Sequence, residues 1–248
     1  MSAEKYFAEI KKMIASCEST QMDNIKAAAD LVTDATLRGR LTFAAGAGHS
    51  HLLALELFTR AGGLGSMQAV VDAGLVFISG SRRQGGFERL TGYAKIVIQD
   101  YDIQPKDVVI VISNSGRNPE PVEFAIEAKA KGATVIALTS MKHSRSVSPN
   151  NPAGKMLYQV ADLVLDNQVP AGDACVEIKG LPPMAAPAST VMGALILNAI
   201  VAQVAQNIMD AGQLPPVGFS GNLEGAREYN EKVASPLRDK FRSMMRNV

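Results

Sequence analysis

Residues 108–118, VVIVISNSGRN, decide how the rest of this 248-residue chain is read. Five β-branched residues, Val108 to Ile112, run straight into Ser113, Asn114, Ser115, Gly116, Arg117 and Asn118, and a helical pattern begins at Pro119. An unbroken apolar run of this kind reads as a strand buried on both faces, as in a parallel sheet covered by helices on both sides. The polar turn then lies at the carboxyl end of a central strand, where open α/β sheets bind ligands. It also opens a helix N-terminus, whose free N–H groups favour an anion. Ser113, Ser115 and Asn118 add side-chain donors and Gly116 lets the backbone turn tightly, so the stretch reads as a phosphate cradle.

The flanking sequence repeats the strand-turn-helix rhythm. Leu41 to Ala45 reads as the first strand, followed by GAGHSH (46–51) and an apolar helix to the glycines at 62 and 63. Met67 to Val71 reads as a second strand, with an extension over Leu75 to Ile78. Ser79 to Gly86 reads as a polar, mobile stretch, and Phe87 to Gln99 as helical. After the central strand come a helix ending at Gly132, a strand over Thr134–Leu138 and a last strand over Ala161–Leu165. Residues 141–155 and 166–188 are rich in Pro, Asn and polar residues and read as two long loops, the first at the same sheet edge as the cradle. Ser189 and Thr190 read as the cap of a strongly apolar helix to about Met209. The whole order predicts an α/β fold, a doubly wound parallel sheet with helices on both faces. Residues 1–38 form a helical segment of one or two helices packing on the domain at 39–210, and 211–248 form a tail with a charged, helix-like end.

Composition narrows the function classes. Hydrophobic residues make up 47% of the chain, enough for a sizeable core, and the formal net charge is +1, so nothing in the balance calls for nucleic acid or a membrane surface. A helix-turn-helix at the N-terminus is disfavoured, because residues 1–45 carry six Lys/Arg against six Asp/Glu. Cys17 and Cys175 form neither a disulfide framework nor a zinc knuckle, which fits a reducing cytoplasm. The longest apolar run, Val191 to Ala202, is interrupted by Asn198 and too short to span a bilayer; it reads as a buried helix.

Chemistry concentrates in the turns. GAGHSH follows a strand and opens a helix, with Asp72 further on, but His51 stands where a dinucleotide fingerprint needs its third glycine, so no nicotinamide or flavin cofactor is expected. Ser50 supplies a second hydroxyl to the anion, or else only caps the helix. The three histidines, His49, His51 and His143, all fall in predicted turns, where an imidazole suits proton transfer near neutral pH. Glu56 shares a helical face with His49 and is either a base or an ion-pair partner of Arg60 at i+4. A zinc site built on the histidines and Glu56 lacks further ligand spacing, so no metal is expected. Glu177 is the second candidate base, in the loop before the last long helix.

With Gly46 to Ser50, Ile112 to Asn118 and Ala188 to Ala194 in view, the sequence resembles the sugar isomerase (SIS) domain family over roughly residues 35–210. The resemblance implies a flavodoxin-like five-stranded sheet that binds phosphosugars, with the phosphate in the turn after the central strand. The family pattern there is close to S-x-S-G-x-[ST], and this chain departs from it at Asn118. Carried over onto this chain, the expected phosphate-binding residues are Ser50, Ser113, Asn114, Ser115, Gly116, Asn118 and Ser189. Glu56 and Arg60 occupy positions where relatives carry a zinc histidine and catalytic glutamates, which argues against a zinc-dependent heptose isomerase and against etherase chemistry. HSHLLALELF, SNSGRN and TSMKHSRSV together are similar to an uncharacterised branch of phosphosugar isomerases. The implied activity is aldose–ketose or amino-sugar phosphate isomerisation, with Glu56 or Glu177 moving the C1/C2 proton and His49, His51 or His143 assisting ring opening. The alternative is a non-catalytic phosphosugar sensor. The family commonly pairs, and the apolar helix 190–209 needs cover on more than one side, so a homodimer is expected.

Overall fold

The computed structural model describes residues 1–233 and residue 237. The chain runs α1 (Ser2–Leu37), β1 (Thr42–Gly46), α2 (His49–Leu57), β2 (Met67–Ala69), α3 (Ser81–Glu88), α4 (Tyr93–Val97), β3 (Val108–Ile112) and α5 (Pro119–Ala130). It continues through β4 (Thr134–Thr139), α6 (Met141–Ser146), α7 (Leu157–Val160), β5 (Leu163–Asp166), β6 (Ala174–Val176), β7 (Ala185–Pro187) and α8 (Ser189–Asp210). The main sheet has the order β2-β1-β3-β4-β5 with every pair parallel, so the winding direction reverses between β1 and β3. Sheets of this order bind ligands at that reversal. The register sets Gly46 opposite Ile112, so the turns leaving β1 and β3 start side by side.

Alternation along the strands divides the core between the two faces of the sheet. Ala44, Ile110, Ile136 and Leu165 face α1, α2 and α8, whereas Phe43, Val109, Val111 and Val135 face α4, α5 and α7. α1 is one continuous helix of 36 residues whose buried positions, Ile10, Met13, Cys17, Gln21, Ile25, Ala28, Val32 and Ala35, recur every three or four and so form a single stripe. The polar member of that stripe is satisfied, because Gln21 Oε1 accepts the Asp166 N–H at 3.0 Å and ties α1 to the end of β5. α8 has the length and hydropathy of a membrane span. Met192, Ile196, Leu197, Ile200, Val204 and Ile208 are instead buried in the core between α1 and α2.

Several expected irregular stretches are ordered. The strand extension over 75–78 is absent: residues 77–79 form a 3-10 turn, and the stretch read as mobile is helix α3. The single helix expected over 87–99 is broken by Gly92, which sits at φ +84° where a side chain is disfavoured. The loop at 141–155 begins as helix α6, because the Ser140 hydroxyl accepts the His143 N–H at 3.0 Å and caps it. Within 166–188 lies the antiparallel pair β6–β7. Residues 215–219 run along 60–65, with Gly62 N–H to Gly218 O at 2.8 Å and Gly218 N–H to Gly63 O at 2.9 Å, and residues 226–233 are helical. The rest of the charged end, apart from residue 237, lies outside the described residues.

Gln21→Leu removes the acceptor of the Asp166 N–H while keeping much of the side-chain volume. Leaving that amide unpaired costs roughly 1–3 kcal/mol. For a chain of this size the melting temperature falls by about 2–4 °C per kcal/mol, read by calorimetry. An unchanged melting temperature would show that the α1–β5 tie is not stabilising.

Candidate functional site

The turn after β3 is built by holding its carbonyls away from the crevice. Asn114 O accepts from Ser140 N–H at 3.1 Å and Thr139 Oγ1 at 3.2 Å; Ser115 O accepts from Ser144 Oγ at 2.9 Å. Gly116 O accepts from Leu157 N–H at 2.8 Å, and Arg117 O from Asn150 N–H and Asn151 Nδ2, both at 2.9 Å. Four consecutive carbonyls are thus satisfied from behind. On the other side, the Gly116 N–H donates to Ser113 Oγ at 3.1 Å, and the N–H groups of Ser115, Arg117 and Asn118 take no partner among the described residues. Successive unpaired N–H groups in such a turn form a concavity suited to an anion. Gly116 sits at φ +60°, and a Cβ there would lie 3.0 Å from Leu157 Cβ, so both conformation and space demand glycine.

The turn after β1 closes the site. A Cβ on Gly46 would come within 2.9 Å of Ser50 Cβ and 3.0 Å of Ile112 O, so glycine is what allows α2 to approach the end of β3. Gly48 takes φ +61° and precedes α2. Asp72 is not free for a ribose: its Oδ1 accepts from Gly74 N–H at 2.8 Å, Leu75 N–H at 3.2 Å and Tyr93 OH at 2.7 Å. The resulting cleft encloses about 250 Å³ and is lined by Ser50, Ser113, Asn114, Ser115, Glu88, Glu120, His143 and Asp173, among others.

The expected residues divide accordingly. Ser50, Ser113, Ser115, Gly116 and His143 meet at or directly behind the cleft. Asn114 lines it too, but its side-chain oxygen is held by Asn167 Nδ2 at 3.0 Å. The Asn118 side-chain amide donates to Glu88 Oε1 at 2.6 Å, so the side chain is held by Glu88 while the backbone N–H is free among the described residues. His49 is exposed and packs edge-on to Phe77, whereas His51 is 3% exposed with Nδ1 unpartnered. Glu56 sits near the far end of α2, away from the cleft, and pairs with Arg60 while accepting from Asn198 Nδ2 at 2.9 Å, so the ion-pair alternative is the one realised. Glu177 is exposed and does not line the cleft. Ser189 spends its hydroxyl on Asp173 Oδ2 at 2.7 Å, and Asp173, not Ser189 or Thr190, satisfies the first amides of α8, at Ala188 and Ser189. Among the described residues, no group of three or more His, Cys, Asp or Glu is placed to hold a metal ion.

The sequence reading missed Glu120. It is the second residue of α5, is 1% exposed, and lines the cleft with neither carboxyl oxygen partnered among the described residues. An acidic residue in the first helical turn ordinarily complements the helix dipole at the surface, and that ordinary reading hides it. The available signal was topological, since a helix leaving the carboxyl end of a central strand starts beneath the crevice. Burial, followed by the carboxylates of Glu88, Asp72 and Glu123, pushes its carboxyl from 4.5 up to about 8. Burial moves His51 and His143 the other way, below 6.5.

These shifts fix a sign for stability against pH. The folded chain keeps a proton on Glu120 that the unfolded chain releases above 4.5, so stability is lost as pH rises from there through about 8. The two histidines act in the opposite sense and only below 6.5. Between about pH 7 and pH 9 the melting temperature therefore falls, and Glu120→Gln, which cannot ionise, flattens that decline. Parallel melting curves for the two proteins would contradict the assignment.

A profile of the SIS domain matches residues 5–140, more than half of the chain. A UPF0309 protein of Geobacillus kaustophilus is 39% identical over 237 residues, 96% of this chain and 94% of its own length. One from Caldanaerobacter subterraneus is 38% identical over 96% of this chain and 98% of its own. Among solved structures, the phosphoheptose isomerase of Neisseria gonorrhoeae superposes with a TM-score of 0.57 at 17% identity, covering 82% of this chain and 97% of that one. That of Francisella tularensis gives 0.57 at 16% identity, covering 82% and 96%. At such identities the superpositions speak for the fold, a five-stranded parallel sheet with flanking helices. The profile and the full-length relatives speak for descent, and on them the chain belongs to the SIS domain family.

Proposed function

We propose that this protein is a phosphosugar isomerase, of the aldose–ketose or amino-sugar type, that holds its substrate by the phosphate in the turn 113–118. The observation that carries the reading is the cradle itself. Four carbonyls are turned back onto the protein, three N–H groups are left free, and the unspent hydroxyls of Ser50 and Ser115 lie at the reversal point of the sheet. A cleft of about 250 Å³ has room for a monosaccharide phosphate. Both solved phosphoheptose isomerases named above are enzymes acting on such compounds, which supports the same ligand class here.

In this reading His143 handles the proton. It is the expected acid–base residue that lines the cleft, its Nδ1 is buried without a partner, and burial lowers its pKa so that the imidazole is neutral at pH 7 and able to accept. Isomerisation needs no oxidant: a proton leaves C2, the C–H electron pair forms the C1–C2 double bond of an enediol, and a proton returned to C1 completes the ketose while O2 loses and O1 gains one. Two free, buried cysteines fit a reducing cytoplasm.

Ser113→Ala with Ser115→Ala removes two hydroxyl donors to the anion, each charge-assisted hydrogen bond worth roughly 1.5–3 kcal/mol. The double variant is therefore expected to lose at least tenfold in affinity for any sugar phosphate found in a panel of pentose, hexose and N-acetylamino-sugar phosphates, screened by thermal shift and then by turnover. Unchanged affinity would remove the cradle from the reading, and binding without turnover of any member would make the protein a sensor instead. The same reading includes a homodimer, for which Leu52 and Leu55 on α2, Phe58 just after it and Val191 near the start of α8 are exposed apolar residues. Light scattering at micromolar concentration is expected to give twice the chain mass of 26.3 kDa, and a monomeric mass would reject the pairing.

A further inference from the structure

Glu120 is an anomaly for a site that binds an anion. Its carboxyl is 1% exposed, and among the described residues neither oxygen has a hydrogen-bond partner and no Lys or Arg forms an ion pair with it. The neighbouring carboxylates are all engaged. Glu88 accepts from Asn118 Nδ2 at 2.6 Å and Gln84 Nε2 at 3.1 Å, Glu123 from Gly92 N–H at 2.7 Å, and Asp72 from Tyr93 OH at 2.7 Å. Of these four carboxylates only Glu120 has both oxygens without a partner among the described residues, and it lines the same cleft as Ser50, Ser113 and Ser115.

An ionised carboxylate there would repel the ligand the cradle is built to hold. A protonated one reverses the interaction, since a carboxylic acid has an O–H to donate. On the reading of the turn as an anion cradle, we propose that Glu120 belongs to the binding site as a neutral acid that donates its proton in a hydrogen bond to the bound anion, so that each dianion bound keeps one proton on the protein. Its position two residues after Asn118, at the start of the helix that the cradle opens, sets it beside the free N–H groups. Its upward-shifted pKa of about 8 agrees, because the resting cleft already carries the proton at neutral pH.

The consequence is an affinity that depends on pH through one group. The groups facing Glu120 are the carboxylates of Glu88, Asp72 and Glu123, the Tyr93 hydroxyl, His51 near Asp72, and His143 and Asp173 on the other lining of the cleft, with Arg117 near His143. Burial lowers both histidines and raises Tyr93 to about 12, so none of those three changes charge between about pH 7 and pH 9.

The probe is inorganic sulfate, which keeps two charges across this range and so adds no titration of its own. Calorimetry on the full chain, repeated in buffers of different ionisation heat, reads affinity and proton uptake together. The wild type is expected to lose about tenfold in sulfate affinity per pH unit above about pH 8 and to take up close to one proton per sulfate there. Glu120→Gln, which keeps the volume and a donor, is expected to bind sulfate with a pH-independent affinity and no uptake. Wild-type binding without proton uptake, or the same pH profile in both proteins, overturns the role of Glu120 and leaves the cradle standing. If wild-type protein binds neither sulfate nor any sugar phosphate, the cradle reading falls and this inference with it.

Discussion

The structure depends on the hydrogen bonds that pull the carbonyls of residues 114–117 away from the crevice. A polar turn at the end of a buried strand can present either oxygens or N–H groups, and only the second choice suits an anion. Here the choice is made by other segments: the hydroxyls of Thr139 and Ser144, the amides of Ser140, Asn150 and Leu157, and the side chain of Asn151. Those residues come from the end of β4, from α6 and from the stretch leading into α7, so the polar segment after β4 is a buttress behind the cradle. Its ordered course follows from that task.

This arrangement explains what the sequence made legible. Val108–Ile112 had to be a central strand because five β-branched residues leave no polar face, and once it was placed, the turn after it and the parallel sheet around it followed. Ser113, Ser115 and Gly116 were readable because residue type and position coincide there. The buttress was not, because Thr139, Ser140 and Ser144 bond to backbone carbonyls far along the chain, and no local spacing announces such pairs. Polarity over 141–155 reads as solvent exposure until its partners are known. Glu56 is the opposite case: flanking leucines suggested a buried base, while the i+4 spacing to Arg60 pointed to the ion pair that the structure contains.

Glu120 fits neither pattern. Nothing local distinguishes it from a dipole-complementing acid, and its meaning comes from what surrounds it: Glu88 from α3, Asp72 from the turn after β2, and Glu123 one turn further along its own helix. Segment 72–93 therefore does more than connect β2 to β3, since it lays a wall of carboxylates beside the cradle. The cleft pairs a row of N–H donors with an acidic wall, and in the proposed reading a neutral carboxyl at their junction lets both serve one anionic ligand.

The most direct test of the central claim is a crystal structure of the protein with a sugar phosphate bound. The account predicts phosphate oxygens within about 3 Å of the N–H groups of Ser115, Arg117 and Asn118 and of the hydroxyls of Ser50 and Ser115, with the sugar extending toward His143. Phosphate density anywhere else on the sheet, with the turn 113–118 holding only solvent, would contradict it.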